Sequence, residues 1–250
     1  MKATIQHNQQ TYQINLNQPI DISMPLGTDP ENTSAWYCPP VEIKAVETEH
    51  FIGDVNRGGV VNFRNIFFNP HGNGTHTECV GHISKEWNSI NQHLKNYFFL
   101  AQLLTVQPEI SGEDQIITKA QLQSLWQSNQ ATDAIIIRTL PNEIAKLKRH
   151  YTNTNPPYLS TEAAHWLVEQ NIKHLLIDLP SVDREQDEGK LAAHHIFWNY
   201  PANPRLDCTI TELVYIPDSV KDGHYFLNLQ VAPFENDASP SRPVLYTIED

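Results

Sequence analysis

Cysteine is scarce: Cys38, Cys79 and Cys208 are the only three in 250 residues. An odd number spread so widely excludes a disulfide framework, argues against a closed structural zinc site, and leads us to expect reduced thiols in a cytoplasmic protein. No apolar run approaches the ~20 residues that a membrane-spanning helix needs. Residues 1–7 lack the apolar core of a secretion signal. Positive charge is short as well, with 17 Lys and Arg against 29 Asp and Glu and a formal net charge of -12. So acidic a surface excludes nucleic acid and anionic membranes as expected partners, and an anionic substrate would need local positive charge such as a metal provides. There is no internal repeat, low-complexity segment or break in composition, so residues 1–250 are expected to form a single domain.

Histidine is what the chain has instead, twelve in all. His71, His76 and His82 fall within residues 69–83, with Glu78 between the last two. Imidazole and carboxylate are the donors that borderline divalent ions such as zinc take near neutral pH. Gly72, Gly74 and Gly81 let the backbone bend and aim several side chains at one centre. His76 and Glu78, two apart, project to the same side of an extended segment. His82 can fold back over the same point beyond Gly81. One histidine in a polar loop would mean little; three with a glutamate among glycines indicate a metal site, structural or catalytic. Cys79, inside the same run, reads as a packing residue.

Around this loop the pattern predicts a mixed α/β core. Residues 4–7 and 11–16 should form an opening hairpin, and residues 41–46 a half-buried strand. Residues 60–68 should form a strand that leads into the histidine loop. A short helix is expected over 85–97, and buried strands over 98–106 and 134–139. Further strands are expected at 175–178, 210–216, 225–232 and 244–248. Thr118 and Ser160 are suited to cap helices over 119–127 and 161–170. His165 and His174 sit inside such elements and read as structural. Residues 178–183 end a strand with polar groups, where α/β folds often place function. His194 and His195 are adjacent, about 100° apart if helical, so one functional and one structural histidine is expected. Glu212 lies among apolar strand residues, where a carboxylate is costly unless paired or metal-bound. Trp36 and Tyr37 either cap the core or wall a pocket.

With these residues in place, the chain resembles the cyclase-like metal-dependent hydrolases, which include bacterial kynurenine formamidase and isatin hydrolase. Their signature is a histidine, one residue, Gly-Thr-His, one residue, an aspartate, and a histidine four further on. Gly74, Thr75, His76, Glu78 and His82 match it in order, with glutamate for aspartate. The resemblance implies a single mixed-sheet α/β domain of the swivelling β/β/α type. It also implies one or two divalent ions, zinc or manganese. His76, Glu78, His194 and Glu212 would be ligands, with Glu78 and Glu212 bridging two ions. His82 would move protons, and Trp36 would contact a small-molecule substrate. A homodimer or homotetramer is implied too. The signature's first histidine would fall at Gly72. His71 lies one step early and can replace it only if the loop bulges by a residue.

The chemistry of such a site points the same way. A divalent ion lowers the pKa of a bound water from 15.7 to ~7 and polarises a carbonyl, and a histidine nearby can pass a proton to a leaving amine. Hydrolysis of a small amide, linear or cyclic, is therefore expected. The alternatives are a lyase or cyclase reaction without net water addition, and a non-catalytic binding protein with a degraded site.

Overall fold

Residues 98–106 and 134–139 are largely apolar, and they pair in the middle of one sheet. The computed structural model describes residues 1–29, 31–127 and 132–249. The main-sheet strands are β1 (Lys2–His7), β2 (Gln10–Asn15), β3 (His76–Glu78), β4 (Phe98–Val106) and β5 (Ala134–Thr139). They continue with β6 (His174–Ile177), β7 (Thr209–Glu212), β8 (Gly223–Asn228), β9 (Ala238–Pro240) and β10 (Val244–Glu249). Across the sheet they run β1-β2-β10-β8-β4-β5-β6-β7-β3-β9, with a two-residue strand, Ile20–Asp21, beside β10. β4, β5, β6 and β7 are parallel to one another, and antiparallel strands extend the sheet on both sides.

Parallel strands are covered on both faces, so these are buried along nearly their whole length and successive side chains serve two cores. Ile135, Ile137, Leu175, Ile177 and Ile210 face one core, while Ala134, Ile136 and Leu176 face the other. Three helices supply the first core: α1 (Lys119–Leu125), α2 (Thr161–Glu169) and α3 (Ala192–Trp198), through Leu122, Trp166, Leu167, Phe197 and Trp198. Thr118 and Gln121 close a capping box on α1, and Ser160 accepts from Ala163 N at 3.1 Å to cap α2. No helix among the described residues is long and apolar enough to cross a membrane.

Several expected elements are shorter or placed elsewhere. Of residues 60–68 only Arg64–Phe67 is strand. It pairs with Glu42–Ala45 in a separate two-stranded ribbon, with Phe63, Ile66 and Phe67 exposed. Aromatic and β-branched residues favour an extended backbone wherever they are, so composition could not tell a ribbon from a core strand. The helix expected over 85–97 shrinks to Ile90–His93. The strand expected over 210–216 stops at Glu212, because Leu213 adopts a left-handed backbone with φ of 54°.

Candidate metal centre

Thr75 locks the site loop to the end of β7. Its hydroxyl donates to Leu213 O and accepts from Met24 N at 2.7 Å. Gly74 just before it has φ of 144°, a conformation that costs glycine little and other residues much. The strand that follows sets the register: His76 stands opposite Glu212, and Glu78 opposite Ile210. Ile210 belongs to the core that α3 covers. Because side chains two apart share a face, His76, Glu78 and Glu212 all point under the start of α3.

His194, the third residue of α3, comes down onto them. Its Nε2 lies 3.2 Å from Glu78 Oε1 and 3.8 Å from Glu212 Oε1. His76 Nε2 lies 3.4 Å from Glu212 Oε2. Behind each ring stands an acceptor: Gly74 O is 3.0 Å from His76 Nδ1, and Asp183 Oδ2 is 2.6 Å from His194 Nδ1. A carbonyl can only accept, so His76 carries its proton on Nδ1 and presents the Nε2 lone pair to the carboxylates. His195 turns away, its Nδ1 3.1 Å from Tyr200 O.

Three buried atoms, His76 Nε2, Glu78 Oε2 and Glu212 Oε1, have no hydrogen-bond partner among the described residues. An unpaired buried polar atom costs ~1–3 kcal/mol, and three such atoms converge here with His194. A cation shared between them would satisfy all of them, and the donor set of imidazole and carboxylate suits a borderline divalent ion. His71, His76 and Glu78 form one group able to hold an ion, Glu78, His82 and His194 a second, and His71, His82 and Asp237 a third. Burial opposes charge on Glu78, but His82, His194 and His71 together hold its carboxyl well below the usual range. Burial likewise opposes a charged His194, yet Asp183, Glu78 and Glu212 push it up to about 10.

His71 does reach the cluster. The chain turns tightly over residues 69–73, with His71 N donating to Asn69 Oδ1 at 2.9 Å and Asn69 N to Asn73 Oδ1 at 2.7 Å. His71 Nδ1 then approaches Glu78 Oε2 to 3.0 Å, out of line for a hydrogen bond. The ring stacks on His82 at 4.4 Å between centroids. His82 sits on the short helical turn Val80–His82, its Nδ1 3.7 Å from Glu78 Oε2 and its side chain 30% exposed. It therefore stands between the buried carboxylates and open space.

That space is a cavity of about 340 Å³ whose walls include Trp36, His71, His82, Arg184, His194 and Glu212. It opens beyond the C-terminal ends of β6 and β7, where parallel sheets carry ligands. Trp36 and Tyr37 both have left-handed backbones, φ of 59° and 55°. Such strain in non-glycine residues persists only where the surroundings enforce it, and it clusters at functional sites. Here Ala35 N donates to Gly72 O at 2.9 Å and Tyr37 N to Thr152 Oγ1 at 3.1 Å. A larger cavity, about 420 Å³, opens at the opposite ends of the parallel strands beside His174 and Asp133. No group of three metal-ligating side chains meets there among the described residues.

Two carboxylates at the site had no role in the sequence reading. Asp183 ends the polar segment 178–183, so its neighbourhood was legible though its contact with His194 was not. Asp237 lies far along the chain from the histidine loop, in a stretch without motif, and its Oδ2 is 2.8 Å from His71 Nε2. Asp178, in the same segment as Asp183, is instead a structural hub that binds Lys146 Nζ at 2.7 Å and Thr139 N at 2.8 Å. Cys79 packs in the core, its thiol pushed up to about 12 by burial.

Residues 15–184 match the Cyclase family model. A kynurenine formamidase from Bacillus cytotoxicus is 27% identical over 233 residues, covering 90% of this chain and 96% of that protein. Among solved structures, isatin hydrolase A from Labrenzia aggregata superposes with a TM-score of 0.66 at 15% identity, over 93% of this chain and 94% of the other. A predicted metal-dependent hydrolase from Bacillus stearothermophilus superposes with a TM-score of 0.65 at 18% identity, over 92% and 98%. At such identities the likeness establishes a shared mixed-sheet fold.

Proposed function

The chain belongs to the Cyclase family, and from that premise we propose that it is a metal-dependent hydrolase opening a small-molecule amide, either an N-formyl amide or a cyclic one. The observation that carries this reading is the convergence of three unpartnered buried atoms, on His76, Glu78 and Glu212, beneath His194. His76, Glu78, His194 and Glu212 would hold one or two divalent ions, zinc or manganese, with His71 completing the set. When bound, the ion supplies Lewis-acid polarisation of the amide carbonyl and an acidified water. His82 takes a proton on the cavity side of Glu78 and returns it to the leaving nitrogen. Trp36 walls the cavity in which the substrate's flat portion lies. The kynurenine formamidase relative and the isatin hydrolase neighbour support amide substrates of this kind.

The reading extends to a homodimer or homotetramer. It is supported by the ribbon around Arg64–Phe67, which exposes Val60, Phe63, Ile66 and Phe67 where monomers rarely gather large apolar side chains. It extends also to a cytoplasmic enzyme, supported by three free cysteines.

The test joins metal content to water incorporation. The purified protein should contain divalent metal that Glu212→Gln largely loses, and turnover of N-formyl anilines or isatin-like lactams in oxygen-18 water should label the carboxylic product. Product without label would favour a lyase or cyclase reaction. A folded wild-type protein that takes up no metal under any loading condition would favour a binding protein.

A further inference from the structure

Position 72 has no room for a side chain. A Cβ built on Gly72 would collide with Cys38 Sγ and lie 2.9 Å from Ala35 O. The strained Trp36 loop therefore fills the space into which a residue at 72 would project, and His71, one step earlier, is the histidine that reaches Glu78. A ring hung on a tight turn needs something to fix its orientation and tautomer.

We infer that Asp237 is the positioning residue that makes His71 usable as a metal ligand. This rests on the metal-dependent reading above. Asp237 Oδ2 lies 2.8 Å from His71 Nε2, on the side of the ring away from Glu78. A carboxylate accepts the Nε2 proton and leaves the Nδ1 lone pair aimed at Glu78 Oε2, 3.0 Å away. Asp183 and His194 repeat the arrangement, with Nδ1 bonded behind and Nε2 in front. Asp237 is itself firmly mounted. Its carbonyl accepts from Cys79 N at 3.0 Å, and the next residue, Ala238, is paired with Glu78 in the β3–β9 ladder. The carboxylate in front thus sits on β3 and the one behind the ring sits just ahead of its partner strand β9. The same Oδ2 is 3.5 Å from His82 Nδ1, a looser approach than the one it makes to His71.

Loss of a carboxylate behind a metal-binding histidine typically costs 10–100-fold in metal affinity. The experiment measures Zn²⁺ affinity by chelator competition, and the d–d spectrum with Co²⁺, for wild type, Asp237→Asn, His71→Ala and the double variant. Asp237→Asn should bind zinc about 10–100-fold more weakly with an altered cobalt spectrum. In the His71→Ala background the Asp237→Asn change should do nothing further. Asp237→Ser, run in parallel, guards against a new clash from the Asn amide. Wild-type affinity in both Asp237 variants would overturn the inference. So would an equal loss with and without His71, which would make Asp237 a ligand or a purely structural group. Failure of the wild type to bind zinc or cobalt would overturn instead the metal-dependent reading.

Discussion

His82 differs from the other histidines of the cluster in how it is held. His76 and His194 are buried and backed by acceptors, whereas His82 keeps 30% of its side chain exposed and only skirts the carboxylates at 3.5 and 3.7 Å. A group that must exchange protons with substrate needs access; a ligand needs fixity. His82→Ala should therefore retain its metal while losing on the order of 10²–10⁴-fold in turnover, the usual worth of general acid–base catalysis. Metal content, melting temperature and turnover measured on one preparation separate the cases. A ligand would lose metal and activity together. A structural histidine would lower stability and spare the turnover of what remains folded. At this scale the sequence revealed histidines and carboxylates whose chemistry is rare in their setting, as with Glu212 on an apolar strand. It could not reveal Asp183 or Asp237, because a carboxylate that supports a histidine from behind obeys no spacing along the chain. Nor could it show why Gly72 replaces the signature's first histidine, since the obstacle is Cys38 from another loop.

Elements carry these residues into place, and α3 is the most dependent of them. It has only seven residues, and Leu191 ahead of it has a left-handed backbone and offers no side-chain cap. The cap comes from Asp183, which accepts from Ala193 N at 2.7 Å and His194 N at 3.1 Å while also holding the His194 ring. One carboxylate thus starts the helix and aims the His194 ring. Asp183→Ala should cost ~0.5–2 kcal/mol for the lost cap, and metal affinity should fall about 10–100-fold. Denaturant unfolding of the metal-free protein and chelator competition would measure the two effects separately. A stability loss with unchanged metal affinity would confine Asp183 to capping. The same scale shows where pattern reading works. Residues 98–106 and 134–139 were legible because a strand buried on both faces admits little but aliphatic residues. The ribbon at 64–67 used the same alphabet for a different purpose, and only its tertiary surroundings distinguish it. Thr118 and Ser160 were legible as caps because capping is local.

At the scale of the molecule the parallel strands have two ends, and each holds histidine in an opposite electrostatic state. At the end that carries the site, carboxylates push His194 up to about 10. His71, which burial alone would push down, is likewise raised to about 10 by Asp237 and Glu78. At the other end His174 starts β6 in register with Ala134 and Thr209, only 3% exposed, with its Nδ1 2.9 Å from Thr209 Oγ1 and its ring 3.8 Å from that of Phe99. Burial pushes His174 down to about 3, and Asp207 opposes this without prevailing. In the unfolded chain a histidine titrates near ~6.5. Between that value and about 3 the unfolded state binds a proton that the native state refuses, so stability must fall as pH falls, by up to ~1.4 kcal/mol per pH unit. Above ~6.5 both states are neutral there and the contribution is whole. His71 and His194 have the opposite sign: in the metal-free protein their stabilisation is complete below ~6.5 and is lost as pH rises towards about 10. Comparison of wild type with His174→Gln cancels those terms. Urea unfolding of the metal-free proteins at pH 7, 6 and 5 should show the wild type losing about 1 kcal/mol more than the variant from pH 6 to 5. Parallel pH profiles for the two proteins would show that His174 does not set the acid limit of the fold.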